Sequence, residues 1–275
     1  MSGELYRVAA FAETDGGGNP AGVWIGASLP TEAEMQEIAR DVGYSETAFV
    51  APAIGKVRSV RYFSPEAEVP FCGHATIASG AVLGRLEGAG EFSFETSVGS
   101  VPVVVRESGG SFTASLTSVD TRHRPLAEID TLLAALGWRR GELDATIPPA
   151  AAYAGAWHAV IAVAERARLA RLDYAFDDMR EAMLEHELTT LQLVWREHGE
   201  LFHSRNPFPV GGVVEDPATG AAAAALGGYL RDSGLLAVPA SLTIRQGEDM
   251  GRPSVLHVDV PRSGGIVVTG AVRDI

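Results

Sequence analysis

The 275-residue sequence predicts an α+β protein of two pseudo-symmetric lobes, each a strongly curved sheet around a buried central helix. Three observations predict it. Two segments of helical length, residues 74–83 and 219–230, carry no fixed charge beyond the histidine that opens the first. A helix that is small and apolar on every side has to be enclosed by protein. Strand-like runs bounded by turn residues flank both segments. Finally, a shift of 144 positions lays Pro65 on Pro209, Val69 on Val213, Ala78 on Ala222 and Ala81 on Ala225, and brings Cys72 onto Asp216 without a gap. This reads as one duplication of a lobe, not as a tandem array of short units.

Taken in order, residues 5–11 suit a first strand, and Gly16-Gly17-Gly18-Asn19-Pro20 forces a turn into a returning strand at 22–25. Thr31 with Glu34 forms a capping box for a helix reaching about Arg40 and closed near Gly43. Residues 45–50, 59–63, 92–94, 101–106 and 112–116 read as further strands. The polar stretch 120–125 is the expected crossing between lobes, which gives an N-terminal lobe over 1–122 and a C-terminal lobe over 123–275. The last strand is expected to return to the first lobe. Beyond the crossing, a helix is expected over 129–137, with strands at 157–163, 190–195, 242–246, 255–260 and 265–268.

Composition excludes some classes. With a formal net charge of -13 the chain is not attracted to a nucleic-acid backbone or an anionic membrane surface. A small anionic substrate stays open, because local amide dipoles outweigh a distant, screened charge. The start, Met1-Ser2-Gly3-Glu4-Leu5, lacks a basic flank followed by an apolar stretch, and no apolar run has membrane length. Cys72 is the single cysteine, so an internal disulfide and a cysteine cluster for zinc are both excluded. The histidines show no metal-binding spacing. A cytoplasmic protein is the expectation.

Chemistry concentrates at three places. In Phe71-Cys72-Gly73-His74-Ala75-Thr76, polar side chains precede the first turn of a buried helix, where free backbone N–H groups favour a carboxylate or phosphate. Glu215-Asp216-Pro217-Ala218-Thr219-Gly220 repeats that grammar, with carboxylates, a proline suited to a helix's first positions, and small residues. If the halves face each other, two helix starts would grip one anion with an acid/base group on each side. Glu46 lies between Ser45 and the run Thr47-Ala48-Phe49-Val50, where apolar surroundings disfavour the charged carboxylate, as a proton shuttle requires. Plainer readings stand beside these. Asp216 before Pro217 is also an ordinary N-cap, His74 a cap of its own helix, Cys72 inert packing, and Glu46 a solvent-facing strand residue.

Together with Gly18-Asn19-Pro20-Ala21-Gly22-Val23, these motifs resemble those of the phenazine-biosynthesis PhzF-like proteins, relatives of diaminopimelate epimerase. The resemblance spans most of the chain. It implies a diaminopimelate-epimerase-like fold, a homodimer, no metal or organic cofactor, and a small carboxylate substrate isomerised by a proton shift. Carried over by motif, Glu46 would be the shuttle, with His74 and Asp216 as its partners. Asn19, Gly73, Ala75, Thr219, Gly220 and Ala221 would line the substrate. Two departures matter. Ala221 stands where the family has serine, and Cys72 matches a catalytic cysteine of the related epimerase. Two alternatives therefore stand: a two-base amino-acid epimerase or racemase using Cys72 and Asp216, and a non-catalytic protein that binds small carboxylates.

Overall fold

The computed structural model describes residues 3–126 and 129–275. It divides into two compact units, one running through Thr117 and taking in Thr269–Ile275, the other Ser118–Val268.

The first unit contains β1 (Gly3–Ala10), β2 (Asn19–Gly26), α1 (Glu32–Val42), β3 (Glu46–Val50), β4 (Val57–Phe63), β5 (Glu68–Val69), α2 (Gly73–Glu87), β6 (Gly90–Thr96), β7 (Gly99–Ser108) and β8 (Ser111–Thr117). The chain's last strand, β18 (Val267–Asp274), contributes its residues from Thr269. The strand order is β1-β2-β3-β4-β6-β7-β8-β18, and β1 pairs with β18 in antiparallel register, Val8 opposite Asp274. The eight strands thus close into a barrel with no free sheet edge between them. Inside it lies α2, buried from His74 to Gly84. Its side chains are small because the barrel wall is close. A Cβ on Gly80 would sit 2.6 Å from Val103 Cγ1.

The capping box at Thr31 forms as expected, with the Thr31 hydroxyl accepting from the Glu34 amide and the Glu34 carboxylate accepting from the Thr31 amide at 2.8 Å. Gly43 ends α1 at φ 71°, a conformation glycine adopts without a steric penalty. Strand β3 is buried on both faces, as its parallel pairing to β2 requires. Phe49 faces outward and packs with Trp24, Phe63, Met35 and Ala39 beneath α1. By the period of two, Glu46 shares the opposite face with Ala48, toward α2.

The second unit contains β9 (Arg122–Pro125), α3 (Ile129–Leu136), β10 (Ala150–Tyr153), β11 (Trp157–Ala162), α4 (Arg166–Ala170), α5 (Phe176–Glu185), β12 (Thr190–His198), β13 (Leu201–Arg205), β14 (Pro207–Phe208), β15 (Val213–Glu215), α6 (Gly220–Asp232), β16 (Ala240–Gln246) and β17 (Ser254–Val260). Its sheet order is β17-β16-β13-β12-β11-β10-β9. Helix α6 packs against both β9 and β17, so the sheet curls around it. On the outer face, α3 and α5 cover β10–β12 through Leu132, Leu136, Met179, Met183, Ile161 and Leu193.

The two units repeat one pairing sequence. In the first, β1–β2, β3–β4 and β6–β7 are antiparallel, while β2–β3 and β4–β6 are parallel. In the second, β10–β11, β12–β13 and β16–β17 are antiparallel, and β11–β12 and β13–β16 parallel. The central helices begin at Gly73 and Gly220, an offset of 147 rather than the 144 of the ungapped repeat. Asp216 therefore stands three residues before the place that Cys72 occupies at its helix. The stretch expected to cross between lobes is also different: residues 122–125 form the edge strand β9, antiparallel to β10. Its arginines are held by aromatic rings, Arg122 lying 4.3 Å from the Tyr153 centroid and Arg124 4.9 Å from that of Trp157.

Candidate active site

In the first unit the start of α2 meets the starts of β2 and β3. Cys72 is the N-cap of α2 and makes no side-chain cap hydrogen bond, so the cap side chain leaves the first-turn amides of Gly73, His74 and Ala75 to other acceptors. His74 is the second helical residue, not a cap. Its Nε2 lies 3.4 Å from the Glu46 carboxylate and 3.4 Å from the Ser45 hydroxyl. Its Nδ1 lies 3.2 Å from the amide nitrogen of the fully buried Asn19 and 3.4 Å from Cys72 Sγ. The Asn19 amide donates to Nδ1, which leaves the proton of a neutral ring on Nε2, where the Ser45 hydroxyl is the hydrogen-bond partner and the Glu46 carboxylate stands 3.4 Å away. The Glu46 side chain is only 17% exposed. The plain reading of a solvent-facing glutamate does not hold.

Behind this group a second layer fixes the helix start. The Thr76 hydroxyl donates to the Cys72 carbonyl at 2.7 Å, and Tyr62 Oη lies 2.7 Å from Thr76 Oγ1. Burial raises the Tyr62 phenol well above its ordinary value, so the pair stays neutral and acts as a hydrogen-bonded strut. Ala75 is buried in the same turn.

In the second unit the two neighbouring carboxylates have separate roles. Glu215 ends β15 and is paired with Arg205, with Nε at 2.9 Å from Oε1 and Nη2 at 2.5 Å from Oε2. The guanidinium also donates to the Ala170 carbonyl at 2.9 Å. Asp216 instead accepts from the Thr219 hydroxyl at 2.5 Å, and its amide donates to the Asn206 carbonyl. The N-cap of α6 is Thr219, so Pro217 lies outside the helix and Asp216 is not its cap. Both sequence expectations placed the helix start too early. Gly220 and Ala221 are its first two residues.

Gln246, fully buried, pins the Asp216 loop from β16. Its amide donates to the Asp216 carbonyl at 2.8 Å and to Thr219 Oγ1 at 3.1 Å, and its carbonyl accepts from the Thr219 amide. Thr190 opens β12 as Glu46 opens β3. It holds His158 Nδ1 at 2.8 Å and donates to Asn206 Oδ1 at 2.6 Å. The topological counterpart of the glutamate site is thus filled by a buried, uncharged network. Glu46 has no second copy.

Ser45, Gln246, Asn206 and Arg205 join these sites without having been expected. Ser45 adjoins a motif, which is a usable signal; the others carry none. The structure brings Asn19, Glu46, Cys72 and His74 together in one unit, and Asp216, Thr219, Gly220 and Ala221 in the other. The ligating atoms of Glu46, Cys72 and His74 all lie within 4.8 Å of one another. No helix among the described residues is long and apolar enough to cross a membrane.

Comparison with known proteins identifies the lineage. Residues 8–271 match the family model of phenazine biosynthesis-like proteins, PhzC-PhzF. An uncharacterized isomerase of Bacillus subtilis is 30% identical over 276 residues, covering 96% of this chain and 92% of its own. The trans-2,3-dihydro-3-hydroxyanthranilate isomerase of Pseudomonas fluorescens is 31% identical over 251 residues, covering 90% and 87%. The crystal structure of a PhzF-family protein of Bacillus anthracis superposes with a TM-score of 0.88 over 100% of this chain and 98% of that one, at 22% identity, and so supports the fold. The chain belongs to the PhzC-PhzF family of phenazine biosynthesis-like proteins and is an isomerase.

Proposed function

We propose that the protein shifts a proton on a small carboxylate-bearing substrate without a cofactor, with Glu46 taking and returning the proton in a cleft between the lobes. The observation that carries this reading is the Glu46 carboxylate 3.4 Å from Nε2 of His74, at the uncapped start of a buried helix. A carboxylate and an imidazole that far apart can both face one substrate proton, and the helix amides favour the substrate's acid group. Asn19, by holding Nδ1, fixes the ring so that Nε2 serves the relay. In this proposal Asp216 is the second partner and the amides at Gly73 and Gly220 hold the carboxylate, with Ala75, Thr219 and Ala221 beside it. Ala221 offers no hydroxyl where the family has serine, so a substrate contact made by that hydroxyl is missing here or supplied elsewhere. The working form is proposed to be a cytoplasmic homodimer, which light scattering on purified protein tests.

Replacing Glu46 with Gln removes the shuttle but keeps its shape. Turnover and solvent-deuterium uptake should fall by about 10²–10⁴-fold, with the folding transition unchanged. Trans-2,3-dihydro-3-hydroxyanthranilate is the first substrate to test, followed by small amino and unsaturated acids. Retained turnover in E46Q would reject the assignment.

One observation favours a second reading. Cys72 Sγ lies 3.4 Å from Nδ1 of His74 at the same helix start, where a thiol stands beside the amides that would hold a substrate acid. An epimerase using Cys72 and Asp216 as opposed bases would lose α-proton exchange in Cys72→Ser and keep it in Glu46→Gln. The non-catalytic reading is disfavoured, since the relatives above are named isomerases.

A further inference from the structure

We infer that Thr219 is a positioning residue for Asp216, its hydroxyl holding that carboxylate ionised and in one orientation, and that Gln246 sets the direction of the hydroxyl. The inference deepens the proposed function, since it rests on Asp216 as the second acid/base group of the site.

The first observation is a cap residue that does not cap. Thr219 stands at the N-cap of α6, where a threonine hydroxyl ordinarily accepts from an amide of the first turn. Here it makes no such bond and donates backward to Asp216 Oδ2 at 2.5 Å. The helix forgoes a stabilising contact, and its cap side chain leaves the first-turn amides to another acceptor, as a site for a substrate acid needs.

The second observation fixes the direction. Gln246 is fully buried, and two backbone groups decide which way its amide lies. The Asp216 carbonyl can only accept, so the side-chain nitrogen faces it at 2.8 Å. The Thr219 amide can only donate, so the side-chain oxygen faces that, at 3.3 Å. The same nitrogen lies 3.1 Å from Thr219 Oγ1 and donates to it, which directs the hydroxyl proton to Asp216. Gly247 lets Gln246 reach the loop: its φ is 75°, and a Cβ there would stand 2.8 Å from the Pro217 carbonyl oxygen. Thr219 thus spends its amide and its hydroxyl proton inside the loop and serves the reaction through Asp216.

A carboxylate that accepts an O–H donor is stabilised in its charged form. Glu215 and Arg205, the charged groups beside it, are paired with each other and unchanged in every variant below.

The test follows the ¹³C carboxyl resonance of labelled aspartate against pH, with Asp216 assigned through Asp216→Asn. Thr219→Val keeps the branched shape and the amide. It should raise the Asp216 titration midpoint by about one pH unit, the loss of one charge-assisted hydrogen bond. Thr219→Ser should restore the midpoint, and Gln246→Met should move it the same way by less. Circular dichroism verifies each fold, and Thr219→Val decides alone if Gln246→Met does not fold. With trans-2,3-dihydro-3-hydroxyanthranilate as substrate, Thr219→Val should lower kcat by about tenfold with KM little changed, and cost nothing further in an Asp216→Asn background. A packing defect would cost the same in both backgrounds. An unchanged midpoint in Thr219→Val overturns the inference, and so does a kcat loss that persists without Asp216. A moved midpoint with full turnover in Asp216→Asn upholds the positioning bond and removes Asp216 from the chemistry.

Discussion

His158 makes the second unit acid-sensitive by an amount that can be worked out. The side chain is fully buried beside Thr190, its Nδ1 bonded to that hydroxyl, while Nε2 has no hydrogen-bond partner among the described residues. Burial pushes its pKa down from 6.5 to about 3, because the enclosed site cannot solvate an imidazolium. The folded chain therefore stays unprotonated at pH values where the unfolded chain takes up a proton. The stability it holds is complete above about pH 6.5 and is lost as pH falls toward 3. At pH 5, 1.5 units below the unfolded value, the loss is about 2 kcal/mol, at ~1.36 kcal/mol per unit. His158→Gln can keep the bond to Thr190 yet has no such proton. Urea unfolding of both proteins at pH 7.5 and pH 5 isolates the effect, since every other acid-sensitive group is common to both. The wild type should lose about 2 kcal/mol more than the variant. Equal losses would mean that the histidine reaches water or a charged partner, and the reasoning would fail.

Breaking the Arg205–Glu215 pair should be costly, because the two side chains are only 10% and 5% exposed and removing one strands the other. Glu215→Gln should destabilise by about 3 kcal/mol in denaturant titration and raise hydrogen exchange across residues 213–219. Gly80→Ala sets a helix-propensity gain of up to about 1 kcal/mol against an added methyl 2.6 Å from Val103 and 3.3 Å from Ala114. Overpacking costs about 1–3 kcal/mol, so a net loss near 1 kcal/mol is expected in thermal unfolding, and a gain would show that the barrel wall yields. Asn19→Ala releases Nδ1 of His74 and should slow turnover by about tenfold, the worth of one hydrogen bond, while shifting the pH–rate profile that a packing defect alone would leave in place.

Much of this molecule is legible in one dimension. The two uncharged helices announce their burial through composition alone, because only an enclosed helix can omit polar residues from every face. The capping box of α1 and the motifs around Glu46 and His74 are equally local. The alanine-rich β10 and the mixed helix α5 give weak periodicity and pass unnoticed. The polar edge strand β9 reads as a connector, since edge positions tolerate charge.

Some decisions have no local signature at all. The barrel closes because β18, at the far end of the chain, pairs with β1. The three-residue displacement of Asp216 from its helix start depends on Thr219 and on Gln246, a residue 30 positions away. Sequence determined which segments had to be buried, since hydrophobic pattern is a property of neighbours along the chain. Only the tertiary structure decided which distant side chains meet, because hydrogen bonds at 2.5–3.5 Å between segments are fixed by packing and register, which no local run of residues encodes.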